Sequence, residues 1–265
     1  MMLDAYSLLA RVRDNKPLIH HLTNWVTIYD CANITRTFGA LPVMAHAKEE
    51  VEEMAGHAGA IVLNIGTLTP ELIDSMVLAG KVANRRKIPV ILDAVGAGAT
   101  KLRTESTMKL LHELHVDVLK GNQGEIGVIA GAKGKVRGVE SMGVKGDPIE
   151  IAKALSAKLK NTVAVTGKTD IVSGGGETYL IDNGTPMMGS IVGTGCMAAS
   201  VIGCFCAVEN DYAKASAAAL GCFGIAGEIA SHKAKGPGSY KEHFYDAAHS
   251  LDKKNVDSLL KVREQ

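Results

Sequence analysis

Neither sign of charge prevails in this 265-residue chain: 29 Lys and Arg stand against 28 Asp and Glu, a formal net charge of +1. No basic stripe gathers the cations, so neither nucleic acid nor an anionic membrane is expected as a main partner. Long apolar runs are missing too. Asp4, Arg11, Arg13 and Asp14 leave no signal-type apolar region near the start, and residues 197–208, interrupted by Ser200 and Gly203, are too few to span a bilayer. A cytoplasmic location is the expectation. The five cysteines, Cys31, Cys196, Cys204, Cys206 and Cys222, are odd in number and lack CxxC spacing, which argues against a disulfide framework and a zinc knuckle. Linkers, charge blocks and internal repeats are also absent, so one domain over residues 1–265 is expected.

What is present is a core-forming composition, 46% apolar and 22% charged, laid out in alternation. β-Branched runs at 61–65, 89–93 and 116–119 predict strands separated by helical patterns. Thr69-Pro70 and Asp147-Pro148 each set a capping side chain before a proline whose missing N–H costs nothing at the first helical position. Glu150 completes a capping-box pattern with Asp147. Leu72, Met76, Ala79 and Ala83 recur at helical spacing, a stripe suited to covering a sheet. Further strands are predicted at 162–165, 170–173 and 178–181, the last two joined through Gly174-Gly175-Gly176 as an antiparallel hairpin. From Cys196 onward the pattern turns helical, through Ala-rich 213–229 to helices at 240–251 and 256–262. That order gives an α/β sandwich, a mostly parallel central sheet with helices on both faces, and ligands at the carboxyl ends of its strands.

Chemistry concentrates at Gly193-Thr194-Gly195-Cys196, where a glycine loop runs directly into a small-residue helix. A helix start offers unpaired N–H groups and partial positive charge, and the glycines allow close approach, so the loop can hold a transferring phosphoryl group. Such loops also serve simply to turn a strand into a helix, and the glycines alone do not separate the two uses. Cys196 can orient or deprotonate a substrate hydroxyl, although a thiol pKa of about 8.5 leaves little thiolate at neutral pH unless the helix start lowers it. Its alternative is that of an inert buried thiol.

Five further segments accompany that loop: Asn24-Trp25-Val26-Thr27, Gly39-Ala40-Leu41-Pro42-Val43-Met44-Ala45, Leu63-Asn64-Ile65-Gly66-Thr67-Leu68, Asp93-Ala94-Val95-Gly96-Ala97-Gly98-Ala99-Thr100 and Lys120-Gly121-Asn122-Gln123-Gly124-Glu125-Ile126. In this order they resemble the hydroxyethylthiazole kinases of the ribokinase-like superfamily, over roughly residues 17–230. The superfamily opens its helix with Gly-x-Gly-Asp, and the cysteine form is characteristic of the hydroxyethylthiazole kinases. The resemblance implies a ribokinase-like three-layer sandwich that transfers the γ-phosphate of ATP to the hydroxyl of 4-methyl-5-(2-hydroxyethyl)thiazole in thiamine biosynthesis and salvage. It implies catalytic roles for Cys196, Gly195 and Thr194, substrate contacts from Met44, Gly193 and Asn24, and ATP contacts from Lys120 and Thr166. It also implies Mg2+ held in hydrated form by Asp93 and Glu125, the latter within the superfamily's Asn-x-x-Glu pattern. Lys120 stands where the family often has arginine, so a point charge in a solvated site replaces a bidentate fork. A homotrimer with pockets at its subunit interfaces is implied as well, which would bring Asn24 and Met44 to one pocket.

Other signals fail. Thr166-Gly167-Lys168-Thr169 imitates the end of a P-loop, but Thr162 stands where a glycine is required. Gly131-Ala132-Lys133-Gly134-Lys135 is followed by Val136, not Ser or Thr, and Gly96-Ala97-Gly98 lacks the third glycine of the dinucleotide fingerprint. His112 and His115 have the wrong spacing for zinc and read as helix-surface residues; His20-His21 precede a predicted helix and either face the pocket or stand at a strand end. Two rival functions fit the same fold: an ATP-dependent hydrate dehydratase, a class that keeps aspartate at the position of Cys196, and a non-catalytic thiazole or nucleotide sensor.

Overall fold

The computed structural model describes residues 3–131, 135–137, 140–142 and 146–265, so Lys133 and Gly134 of the second P-loop imitation lie outside the described residues. In chain order the elements are α1 (Ala5–Asn15), β1 (Leu18–Leu22), α2 (Ile28–Thr37), β2 (Leu41–Val43), α3 (Val51–His57), β3 (Ala60–Asn64), α4 (Pro70–Arg86), β4 (Val90–Asp93), α5 (Lys101–Glu113), β5 (Val118–Asn122), α6 (Gln123–Ile129), β6 (Lys135–Arg137) and β7 (Glu140–Met142). They continue as α7 (Pro148–Leu159), β8 (Thr162–Thr166), β9 (Asp170–Gly174), β10 (Glu177–Ile181), a 3-10 turn (Pro186–Ser190), α8 (Thr194–Cys206), α9 (Tyr212–Ser231), α10 (Pro237–Ser250), α11 (Lys253–Leu259) and β11 (Val262–Glu264).

Nine strands form one sheet in the order β11-β10-β9-β8-β5-β4-β3-β1-β2, and β6 pairs with β7 apart from it. The run from β8 to β2 is parallel, and β9, β10 and β11 continue it antiparallel. Successive side chains of a strand point to opposite faces, and the core divides accordingly. Ile61, Leu63, Leu92, Leu119 and Val163 pack with α4 and α7, whereas Val62, Ile91, Val118 and Ala164 pack with α8 and α9. The sandwich with helices on both faces is therefore the one expected, and Leu72, Met76, Ala79 and Ala83 are buried as the helical stripe requires. Strand β1 pairs with β2 on one side and β3 on the other, so the chain reverses its direction of travel across the sheet at β1. Connections leave the carboxyl ends of β1 and β3 toward different sides there, which opens a crevice between them.

Several local expectations are corrected. Strand β5 begins at Val118, two residues into the run at 116–119, and extends past it to Asn122, and Gly174 ends β9, which leaves Gly175-Gly176 as the turn. The helix at 256–262 stops at Leu259, and Val262 instead pairs with Ile181, adding an edge strand that three residues could not announce. The capping box of Asp147 and Glu150 reduces to one bond, from Ile149 N to Asp147 Oδ1 (2.9 Å), because Glu150 turns to Lys153; Asn122 and Glu125 form a full box instead. His115 lies past the end of α5 and pairs with Asp117 at 3.3 Å. His20 and His21 sit inside β1, fully buried, and bond to Ala45 O and to Ile19 O and Thr35, so they serve packing at the sheet edge.

Candidate active site

The parallel register sets Asn64 beside Asp93 and Asp93 beside Lys120 at the carboxyl ends of three adjacent strands. Their side chains join into one buried network. Lys120 Nζ donates to Asp93 Oδ1 (3.0 Å), and Asn64 Nδ2 donates to Asp93 Oδ2 (2.7 Å). Asn24, which follows β1, donates through Nδ2 to Asn64 Oδ1 (2.9 Å) and to Cys196 Sγ (3.3 Å). Its Oδ1 accepts Val26 N and Thr27 N, which fixes the turn into α2. Burial opposes the charge on Lys120, yet Asp93, Glu125 and Cys196 outweigh it and hold the ammonium above the ordinary lysine pKa. Lys120 is 4% exposed, which corrects the solvated placement expected of it. Burial pushes Asp93 upward while Lys120 and Asn64 act against it, and the 3.0 Å geometry is that of an ion pair.

Glu125, in the first turn of α6, accepts Gly96 N at Oε1 (2.6 Å) and Asn122 N at Oε2 (2.7 Å). Burial raises its pKa, Lys120 lowers it and Asp93 raises it further. Each oxygen has used one N–H and keeps a further acceptor position.

Helix α8 starts over this network. Gly193, its N-cap, has φ +96°, and a Cβ there would come within 2.6 Å of Thr27 Cγ2, so only glycine fits both the turn and the contact. A Cβ on Gly195 would lie 3.2 Å from Lys120 Nζ, which places the ammonium directly against the helix start. Thr194 Oγ1 donates to Met188 O at 3.1 Å and ties the helix to the preceding 3-10 turn. Burial and the Asp93 carboxylate push the Cys196 thiol up from its ordinary value, with Lys120 acting against them. The helix start does not prevail over burial, so the lowering that a helix start can give is not realised and Cys196 carries its proton at neutral pH.

Two cavities flank the first turn of α8. One, of about 330 Å³, is lined by Asn24, Thr27, Lys120, Glu125, Gly193 and Cys196 among others; the second, of about 610 Å³, by Lys168, Asp170, Asp182, Gly184, Thr194 and Phe223 among others. Thr166 and Gly195 line both. The fold thus brings together Asn24, Asp93, Lys120, Glu125, Thr166, Gly193, Thr194, Gly195 and Cys196. Met44 stands apart, half-buried beyond the edge strand β2, and lines neither cavity. Sequence reasoning gave no role to Asn64, Arg103, Lys168 or Glu228. Asn64 lay within a quoted segment, and its place beside Asp93 follows from strand register; Lys168 lay in the set-aside P-loop imitation, which turns out to line the second cavity. Among the described residues no group of three or more His, Cys, Asp or Glu side chains could hold a metal ion, and no helix is long and apolar enough to cross a membrane.

Comparison with known proteins gives a consistent picture. Residues 9–254 match the model of the hydroxyethylthiazole kinase family. The chain is 53% identical over 256 residues to a hydroxyethylthiazole kinase of Methanosarcina mazei, covering 97% of this chain and 98% of that one. A solved hydroxyethylthiazole kinase structure from Pyrococcus horikoshii OT3 superposes with a TM-score of 0.91 at 41% identity, each chain wholly covered. A ribokinase-like superfamily protein from Enterococcus faecalis V583 shares the fold, with a TM-score of 0.61 at 14% identity over 94% of this chain and 90% of that one.

Proposed function

Because this chain belongs to the hydroxyethylthiazole kinase family, we propose that the 330 Å³ cavity takes the thiazole alcohol, the 610 Å³ cavity takes ATP, and the phosphoryl group crosses between them at Gly195 and Thr166. The sharing of those two residues by both cavities is the observation that carries the assignment. In the reaction the hydroxyl oxygen of 4-methyl-5-(2-hydroxyethyl)thiazole attacks the γ-phosphorus, the bond to the β–γ bridging oxygen breaks, and ADP leaves. The hydroxyl proton passes to the transferred phosphate or to water.

Phosphoryl transfer asks mainly for alignment and charge compensation, and the residues supply both. The N–H groups at the start of α8 and the Lys120 ammonium face the migrating charge. Asn24 donates to the sulfur of Cys196, which leaves the S–H free to orient the alcohol. Glu125 fits a magnesium ion that keeps its waters, since its oxygens retain acceptor positions on the cavity wall. Asp93 fits less directly, because it is fully buried and lines neither cavity; its charge acts through Lys120. When bound, the ion would neutralise the ATP phosphates. Trp25, Val26, Tyr29 and Val192 leave apolar side chains exposed close to the acceptor cavity, which supports a homotrimer that covers them and brings Met44 to a neighbour's pocket. An ATP-consuming enzyme of this kind belongs in the cytoplasm.

ADP release measured with and without the thiazole alcohol tests the reading: release only with the alcohol is expected, and release without it, or none at all, removes it. Cys196→Ala then tests the thiol. Loss of one orienting hydrogen bond lowers kcat/KM by about tenfold or less. A pH–rate limb present in the parent enzyme and absent from the alanine variant would restore a base role to the thiol.

A further inference from the structure

The geometry points to Arg103 as the positioning residue that sets the acceptor cavity, an inference that rests on the substrate reading above. Strands β3 and β4 pair as far as Asn64 and Asp93, and beyond them Ile65-Gly66-Thr67 and Ala94-Val95-Gly96 leave the sheet. Gly66, Thr67 and Val95 line the acceptor cavity, so the separation of these two exits fixes its width. The carbonyls of Ile65, Gly66 and Val95 have left the ladder. Arg103, in the first turn of α5, takes all three: Nη1 donates to Ile65 O (2.9 Å) and Val95 O (2.9 Å), and Nη2 donates to Gly66 O (2.7 Å).

A planar guanidinium holds three acceptors at fixed mutual spacing, which an ammonium on a flexible stem cannot reproduce. Among the described residues no carboxylate pairs with Arg103, and its guanidinium bonds go to backbone carbonyls of the two exits. A Cβ at Gly96 would come within 2.9 Å of Arg103 Cδ, so the second exit is shaped around the side chain.

Both exits lead on to the reacting groups. Gly96 N donates to Glu125 Oε1, and Gly66 N donates to Asn64 Oδ1, the same oxygen that receives Asn24 Nδ2. Asn24 in turn holds Cys196, and Thr67 Oγ1 accepts Trp25 N at 3.0 Å. A shift of Gly66 therefore moves Asn24, Trp25 and the thiol together. None of the three bonds reaches a residue of the nucleotide cavity. Arg103 reaches the ATP side only indirectly, through Gly96 and Glu125, and should thus govern the alcohol far more than ATP.

The sole tryptophan, Trp25, makes this testable without turnover. Arg103→Lys keeps the charge and most of the stem while losing the fork. In this variant the KM for the thiazole alcohol should rise and kcat fall, together on the order of 10–100-fold in kcat/KM, with the KM for ATP within about twofold of the parent. Trp25 emission should shift even without ligand. For Arg103→Ala, added guanidinium ion should restore part of the alcohol KM. The inference fails if both KM values rise in parallel, or if the kinetic constants and Trp25 emission of Arg103→Lys equal the parent's while only its melting temperature falls. Should the parent phosphorylate no thiazole alcohol while Arg103→Lys still shifts Trp25 emission, the substrate reading fails and the clamp stands.

Discussion

The two cavities that meet at Gly195 are built by different means. The acceptor side is a set of buried polar side chains projected from the ends or exits of four parallel strands, Asn24, Asn64, Asp93 and Lys120 bonded to one another and Glu125 held by the backbone of Gly96 and Asn122. The nucleotide side is mostly loop. Gly167 N is held by Asp170, Thr169 Oγ1 donates to Asp182, and Gly184 N donates to Glu228, the first bond exposed and the other two only part-buried. A desolvated network tolerates one geometry, because any unpaired member bears its full desolvation cost, whereas solvated loops exchange protein partners for water. Changes on the acceptor side should therefore be severe and felt throughout the site, and changes on the nucleotide side mild and confined to one ligand.

Asp93→Asn is the strongest attempt to break that contrast. It leaves the Lys120 ammonium buried with its nearest counterion removed, at a cost of about 3–5 kcal/mol in unfolding free energy, and activity should be abolished. Denaturant unfolding monitored through Trp25 checks the cost. Adding Lys120→Met to Asp93→Asn should recover most of the stability and none of the activity, because the pair rather than either residue is what burial penalises. If Asp93→Asn cost under about 1 kcal/mol, the acceptor network would be no more demanding than a surface ion pair.

Glu228→Ala probes the other side. Glu228 Oε1 accepts Asn183 Nδ2 (3.3 Å), Gly184 N (2.9 Å) and Lys261 Nζ (3.0 Å), and so ties the loop after β10 to the segment before β11. Losing these bonds should cost about 1–3 kcal/mol and raise the KM for ATP several-fold, with the KM for the alcohol unchanged. A matching rise in the alcohol KM, measured by steady-state kinetics, would show that the cavities are not independent.

The same contrast explains what could be read from the chain alone. Strands β3, β4, β5 and β8 were legible because buried parallel strands write themselves as short β-branched runs, and α8 because a glycine loop precedes small residues. Cys196 was legible because it follows a glycine loop at a helix start, whereas Asp93, Lys120 and Glu125 were reached through the family resemblance of the segments that carry them. Strand β2 offers three residues, one of them Pro42, and β11 three more, too few to show a period of two. Asn64, Arg103 and Glu228 stayed hidden because each has a partner 29 to 45 residues away, a relation that only strand register and helix packing create. The raised thiol pKa of Cys196 also depended on burial that no local motif encodes.

Asp170 offers the mildest test. Burial pushes its carboxyl from 3.8 up to about 7, against the Gly167 N–H and the Lys120 charge, which lower it. Between those values the folded chain keeps a proton that the unfolded chain has released, so the stability this group contributes is complete below about pH 4 and is lost as pH rises through 7. Asparagine keeps an oxygen for Gly167 N and does not titrate. The Tm difference between Asp170→Asn and the parent should be near zero at pH 4 and should grow in the variant's favour to a plateau above pH 7. Asp170 lines the cavity proposed for the anionic nucleotide, so the parent's KM for ATP should rise between pH 6 and 8 and that of the variant should stay flatter. The alcohol KM should follow the same pH course in both proteins. If it diverged, the charge at the start of β9 would be reaching the thiol end of α8, and the separation between the two sides of Gly195 would not hold.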